Sequence, residues 1–168
     1  YHNRLVLKKF LNLSEEEILY RVHKILTDLG LQEIKDLKVG TPLNKYISGG
    51  QRKRLNIALE LIREPYILFV DEPTSGLSSA DSEIVIDLLR EQSLKGKLVI
   101  VNIHQPSSNI YKQFDRLIVM DRGGKIVFNG NPLDALIYFK TENQLINAEE
   151  GECPSCGNVY PEEVLQIL

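Results

Sequence analysis

The feature that most constrains this chain is an alternation in its middle third. Tyr66 to Val70 is a continuous apolar run. Ser79 to about Leu94 has helical periodicity, and Leu98 to Ile103 is rich in β-branched residues. Strand, helix, strand at this spacing predicts a right-handed crossover joining two parallel strands. An unbroken apolar strand in a parallel sheet is expected to be buried on both faces. The helix between is expected to turn Ile84 and Leu88, with Val85 and Leu89, inward. The fold class is therefore α/β.

The flanks fit the same reading. Ser14-Glu15-Glu16-Glu17 has the form of a capping box. It opens a helix with apolar Ile18, Leu19, Val22, Ile25, Leu26 and Leu29, stopped by Gly30. A loop around Gly40 and Pro42 follows. A second helix is predicted from Ser48 to about Glu64, ended by Pro65, with Leu55, Ala58, Leu59 and Ile62 as its inward stripe. Further on, Leu117 to Met120 and Lys125 to Phe128 flank Asp121-Arg122-Gly123-Gly124, a hairpin pattern. Pro132 suits the first turn of a last helix.

Charge and length narrow the class. The chain has 168 residues, with 20 Lys and Arg against 23 Asp and Glu and a net charge of −3. That length allows one domain with an appendage. The charge is no footprint for nucleic acid. No apolar run approaches the ~20 residues of a membrane-spanning helix. No signal peptide opens the chain, and its first residue is Tyr1, which reads as an excised piece. Two cysteines do not make a disulfide scaffold, so a reducing compartment is expected.

In open parallel sheets, ligands sit beyond the carboxyl ends of the strands. The first strand runs into Asp71-Glu72 and the second into His104. The crossover places both ends on one edge, so two carboxylates and an imidazole are expected to converge. An apolar strand followed by Asp-Glu is a Walker B layout, with Asp71 holding Mg²⁺ through water and Glu72 deprotonating a water. The same pair, taken alone, also suits a cap on the next turn. Ser48-Gly49-Gly50-Gln51 is a helix start at which glycines let a phosphate approach exposed N–H groups. Arg52, Lys53 and Arg54 crowd that first turn, against the helix dipole, and an anion there would relieve the conflict. A solvated basic turn is the alternative for this segment alone.

Three segments together carry a resemblance: Tyr46-Ile-Ser-Gly-Gly-Gln-Arg-Lys-Arg54, Ile67-Leu-Phe-Val-Asp-Glu-Pro-Thr-Ser-Gly-Leu77, and His104. In order and spacing, over about residues 1–140, they resemble the ATP-binding cassette (ABC) ATPases. The resemblance implies a partial P-loop NTPase fold, with a helical subdomain beside a segment of parallel-sheet core. It implies that Ser48, Gly49, Gly50 and Gln51 are the signature motif, meeting ATP bound to a partner chain. Asp71 becomes the Mg²⁺ residue of Walker B, Glu72 the catalytic glutamate and His104 the switch histidine at the γ-phosphate. Ser75, Gly76, Leu77 and Ser78 become the D-loop. Asn56-Ile-Ala-Leu-Glu-Leu-Ile62, and His104-Gln-Pro-Ser107 before Ile110-Tyr-Lys-Gln-Phe-Asp115, resemble the White, or G, subfamily. Cys153-Pro154 and Tyr160-Pro-Glu-Glu163 resemble the tail that precedes its membrane helices.

Two departures stand out. A P-loop needs G-x-x-x-x-G-K-[ST], yet Gly96-Lys97 and Gly124-Lys125 precede Leu98 and Ile126 and lack the upstream glycine. Walker A is absent, so these residues alone are expected not to hydrolyse ATP. Ser78 stands where the D-loop usually has Asp, and Asp81 lies three residues further on.

The resemblance divides the chain into a helical subdomain (1–64), the Walker B, D-loop and switch-histidine part of the core (65–130), and a tail toward a membrane domain (131–168). It implies a nucleotide-binding domain coupling ATP and Mg²⁺ to transport. Its partners would be a second such domain and a transmembrane domain, at the cytoplasmic face of a membrane, without nucleic acid. The alternatives are a soluble cassette ATPase of DNA repair or translation, and a regulatory or zinc-binding module. For the latter, Cys153 and Cys156 supply only two of the four ligands of tetrahedral zinc, with His2, His23 or a second copy as sources of others. An unligated tail is expected.

Overall fold

The structure is a computed structural model that describes residues 12–41, 46–145 and 147–162. His2, Pro42 and the tail from 163 onward, Glu163 included, lie outside the described residues. The chain divides into two compact units, Tyr1–Asn102 and Ile103–Leu168.

In the first unit, α1 (Glu15–Asp28) opens with the expected capping box, Ser14 Oγ accepting from the Glu17 N–H and Glu17 from the Ser14 N–H. Gly30, at φ +62°, ends it. After a 3₁₀ turn (Gln32–Ile34) comes α2 (Gly49–Leu61), capped by Ser48. Gln51 completes a second capping box there by accepting from the Ser48 N–H at 2.8 Å. Ile18 of α1 and Ile62 at the end of α2 are buried together, with Leu13, Val22 and Ile25 packed around them.

β1 (Ile67–Asp71) and β2 (Leu98–Asn102) pair in parallel, Ile67 opposite Leu98 and Asp71 opposite Asn102. The crossover helix α3 (Ser79–Leu94) has the predicted bounds. Val85 and Leu89 are inside as expected, joined by Ser82, Ile86 and Gln92, while Leu88 is half-buried and Ile84 is 45% exposed. The stripe on α2 is likewise rotated, with Ile57, Ala58, Leu61 and Ile62 buried and Leu59 turned out. Leu19 on α1 is also exposed. In helices with apolar residues on several faces, the neighbours decide which face is covered.

β1 is not buried on both faces. Leu68 is inside, but Phe69 is 74% exposed and Ile67 and Ile100 also face outward. Helix α3 packs on one side of this two-stranded sheet, and no described residue of the unit covers the other. Apolar composition reported the affinity of that face for a cover; it could not report whether one is present.

The second unit starts after β2. A short helix α4 (Ser108–Tyr111), not foreseen from sequence, is capped by Ser107. The predicted hairpin is β3 (Leu117–Asp121) and β4 (Lys125–Gly130), antiparallel, with a register shift between Val119 and Met120. Helix α5 (Pro132–Glu142) starts on Pro132, and the Asn131 side chain caps it at 2.8 Å from the Leu133 N–H. The core joins Tyr111, Val119, Ala135, Leu136, Phe139 and Val159. The buried Tyr111 hydroxyl donates to the Pro132 carbonyl at 2.7 Å, and burial pushes its pKa upward. Leu136 is 0% exposed. Leu136→Ala is expected to cost about 2–5 kcal/mol, read as a lower denaturant midpoint at unchanged slope.

Candidate functional site

β1 carries Asp71 as its last residue and releases Glu72 immediately beyond the sheet. Both carboxylates are exposed. The cross-strand partner Asn102 holds them in place. Its side-chain amide donates to Asp71 Oδ1 at 2.8 Å, and its carbonyl accepts from the Glu72 N–H at 2.8 Å. Glu72 has φ +43°, a left-handed conformation that costs a non-glycine residue roughly 1–2 kcal/mol. Gln105, after His104, has φ +48°. Strain of this kind persists where surroundings over-determine the backbone, and it gathers at functional sites.

The over-determination at Glu72 includes α2. Lys53 Nζ donates to the Glu72 carbonyl at 2.8 Å, and Ser75 N–H reaches the same oxygen at 3.2 Å. Thus both backbone polar groups of Glu72 are tied down while its carboxylate stays in solvent.

The basic first turn of α2 has an internal explanation. Lys53 holds Glu72, Arg52 donates to the Val39 carbonyl at 3.2 Å, and Arg54 lies 3.8 Å from Asp81 Oδ1. An anion is not needed to relieve these cations, contrary to the expectation from the helix dipole alone. Arg54 still keeps its Nε and Nη1 buried without a hydrogen-bond acceptor.

At the very start of α2, Ser48 and Gly49 are exposed and Gly50 is buried. The capping box satisfies the Ser48 and Gln51 N–H groups. The N–H groups of Gly49 and Gly50, in the first turn, have no intrahelical acceptor. Leu77 and Asp81 lie against this end. A Cβ on Gly49 would stand 3.4 Å from Leu77 Cδ2, whereas one on Gly50 would stand 2.3 Å from Asp81 Oδ1. Ser78 caps α3, its hydroxyl accepting from the Asp81 N–H and donating to Asp81 Oδ2, both at 3.1 Å. One helical turn thus brings the Asp81 carboxylate back to position 78, closing the gap in sequence. Gly76, at φ +72°, supplies the turn before it.

The structure therefore brings Asp71, Glu72, the residues 75–78 and the start of α2 together within the first unit. His104 is exposed and belongs to the second. Asn102 was not picked out from sequence, and neither the partners of Lys53 and Arg54 nor the place of Asp81 beside Gly50 was foreseen. For Lys53 and Arg54 the available signal was the misplaced charge at the helix start. For Asn102 it was a polar residue ending an otherwise apolar strand.

The described residues contain no cluster of three or more His, Cys, Asp or Glu side chains suited to a metal, and no helix among them is long and apolar enough to cross a membrane.

Comparison with known proteins agrees with the geometry. The family profile described as ABC transporter matches residues 2–75. The broad substrate specificity ATP-binding cassette transporter ABCG2 of Bos taurus is 45% identical over 119 residues, 71% of this chain and 18% of its own length. ABC transporter G family member 28 of Arabidopsis thaliana is 40% identical over 130 residues, 77% of this chain and 12% of its own length. The structure of cbiO1 from Clostridium perfringens, part of the ABC transporter complex cbiONQ, superposes with a TM-score of 0.65 at 30% identity, over 79% of this chain and 51% of that one. The chain thus spans less than a fifth of those two transporters. With its motifs, its fold and its relatives in agreement, the chain belongs to the ABC transporter family, as nucleotide-binding-domain sequence of the G, or White, branch.

Proposed function

We propose that in the complete protein this chain forms half of each of two composite ATPase sites, and that their closing and reopening drives attached membrane helices. The observation that carries this is Glu72: exposed, in a left-handed conformation, with its N–H held by Asn102 and its carbonyl by Lys53 of α2. A carboxylate so placed suits a general base that takes a proton from the attacking water. Ser48 and the Gly49 and Gly50 amides would receive the γ-phosphate of ATP bound to a partner domain, and His104, which follows β2 in sequence, would contact the γ-phosphate. Leu77, whose side chain lies beside Gly49 of α2, and Ser78 would form the D-loop and face that partner.

Mg²⁺ fits the donor set in one way. A single exposed carboxylate, Asp71, with one oxygen engaged by Asn102, suits a cation that keeps its waters and takes its other ligands from phosphates. Mg²⁺ supplies charge neutralisation at the phosphates when bound.

Residues 1–64 would serve as the helical subdomain, 65–130 as the Walker B, D-loop and switch-histidine part of the core, and 131–168 as the approach to a transmembrane domain at the cytoplasmic face. The relatives support this reading over a soluble cassette of DNA repair or translation.

Vanadate photocleavage tests it. With vanadate, Mg²⁺ and ATP, vanadate takes the place of the γ-phosphate, and ultraviolet light is expected to cut the backbone of the complete protein within Ser48 to Gln51, with no cut there when vanadate is omitted. Cleavage confined to other segments under trapping conditions would remove the composite site.

A further inference from the structure

The ATPase reading uses nothing of Cys153-Pro-Ser-Cys156-Gly, yet this is a built turn. Gly157, at φ +71°, swings its N–H back to the Cys153 carbonyl at 2.7 Å, and the Cys153 N–H donates to the Asn158 carbonyl at 2.8 Å. The turn is fastened to α4 and the segment after it. Lys112 Nζ donates to the Gly157 carbonyl and pairs with Glu152 at 3.1 Å, and the Val159 N–H donates to Ser108 Oγ at 3.0 Å. Val159 itself is in the core.

Cys153 Sγ lies 3.1 Å from Ser155 Oγ. The hydrogen bond from the Gly157 N–H to the Cys153 carbonyl closes a single turn over residues 153–157, which returns Cys156, three positions on, to the side of Cys153. Neither is in a disulfide; Cys156 is exposed and Cys153 partly so.

We propose that Cys153 and Cys156 form a redox-active dithiol that exchanges with small-molecule disulfides and closes to an internal disulfide. Cys153 is the attacking sulfur. Its thiolate bonds to one sulfur of the small disulfide RSSR, whose S–S bond breaks and releases RS⁻. The Cys156 thiol gives up its proton and attacks Cys153 Sγ, expelling the second RS⁻. The dithiol is oxidised by two electrons, RSSR is reduced to two RSH, and the Cys156 proton and the one Cys153 lost on ionising end on the two thiols. The roles follow from the surroundings. The Ser155 hydroxyl first, then the Ser155 and Cys156 amides and the Cys156 thiol, lower the Cys153 pKa to about 7. Thiolate formed near neutral pH is the nucleophile, and the exposed Cys156 is left to resolve the mixed disulfide.

A lower pKa raises the thiolate fraction but weakens each thiolate. Against an ordinary thiol of pKa ~8.5, the fraction at pH 7 rises roughly 16-fold, and a Brønsted slope of ~0.45 takes back about five-fold. The net expectation is an approximately three-fold faster attack.

The complete protein, equilibrated in glutathione buffers of increasing oxidised fraction, is quenched in acid, alkylated and digested. The peptide holding both cysteines is expected to become lighter by two hydrogens and to carry no alkyl group. Cys156→Ser is expected to stop at a glutathione adduct on Cys153, forming about three times faster in the folded than in the urea-unfolded protein at pH 7. The proposal is overturned if the peptide stays doubly alkylated in fully oxidised glutathione, or if both cysteines take glutathione without closing. It is equally overturned if the adduct forms no faster in the folded protein, or if metal analysis finds one zinc per chain that is lost in Cys156→Ser.

Discussion

Glu72→Gln is expected to lower ATP turnover of the complete protein by on the order of 10²-fold, with nucleotide binding retained. The substitution removes the proton acceptor and little else. Its carboxylate is exposed, so no buried contact is lost, and the fixed groups at this residue belong to the backbone. Asn102 holds the N–H and Lys53 the carbonyl, and neither depends on the side chain. The left-handed backbone at φ +43° is accessible to Gln, which replaces Glu at the same size. A melting temperature close to wild type, unchanged nucleotide affinity and collapsed turnover on one preparation is the expected pattern. Turnover within about two-fold of wild type would take the general-base role away from Glu72. Lys53→Met provides the contrast: it leaves the carboxylate and releases the carbonyl, so turnover should fall by less than in Glu72→Gln, with the thermal midpoint almost unmoved.

The second large effect is Gly49→Asp, expected to abolish turnover while the protein stays folded. Gly49 is exposed, and a Cβ there meets Leu77 Cδ2 at an ordinary 3.4 Å. The added carboxylate would occupy the place where a phosphate approaches the first-turn amides and would repel it. Gly50 is the poorer position for the same test. A Cβ at Gly50 would stand 2.3 Å from Asp81 Oδ1 and 2.7 Å from its Cγ. Relief requires the Asp81 carboxylate to leave Arg54 and the Ser78 hydroxyl, and an aspartate at 50 adds a like charge in a buried position. Gly50→Asp is expected to cost about 3 kcal/mol or more of stability, so its loss of activity would mix two causes. Gly49→Asp separates them. Thermal melting, nucleotide binding and ATPase activity of both variants give the comparison. Wild-type turnover in folded Gly49→Asp would reduce the glycine pair to a helix start.

Much of the local architecture is legible in the residues because its causes are local. Ser14 and Ser48 each meet a hydrogen-bonding side chain three positions on; Gly30 ends α1 through its own backbone freedom, whereas α2 stops at Leu61, short of the end at about Glu64 expected from Pro65; Asn131 and Pro132 open α5. The α3 bounds and the hairpin follow from similar signals. The three motifs and their order were legible too, because each is a short contiguous run whose chemistry does not depend on what packs against it.

Which face of a helix is buried is a different kind of property. Val85 and Leu89 are covered as expected, but Ile86 joins them and Ile84 turns outward, because β2 and α2 pack against α3 from that side. Phe69 is exposed for the complementary reason, that α3 covers one side of the sheet only. The partners of Arg52, Lys53 and Arg54 likewise sit at Val39, Glu72 and Asp81, between 13 and 27 residues away in sequence, by subtraction of these numbers. Sequence determined where helices and strands begin and end, since caps, turns and β-branching act within a few residues. Only the tertiary structure decided which cations are already paired, that Asp81 fills the space beside Gly50, and that Glu72 is gripped from two elements. Those facts depend on groups brought together by chain closure, and no local rule ranks one distant partner above another.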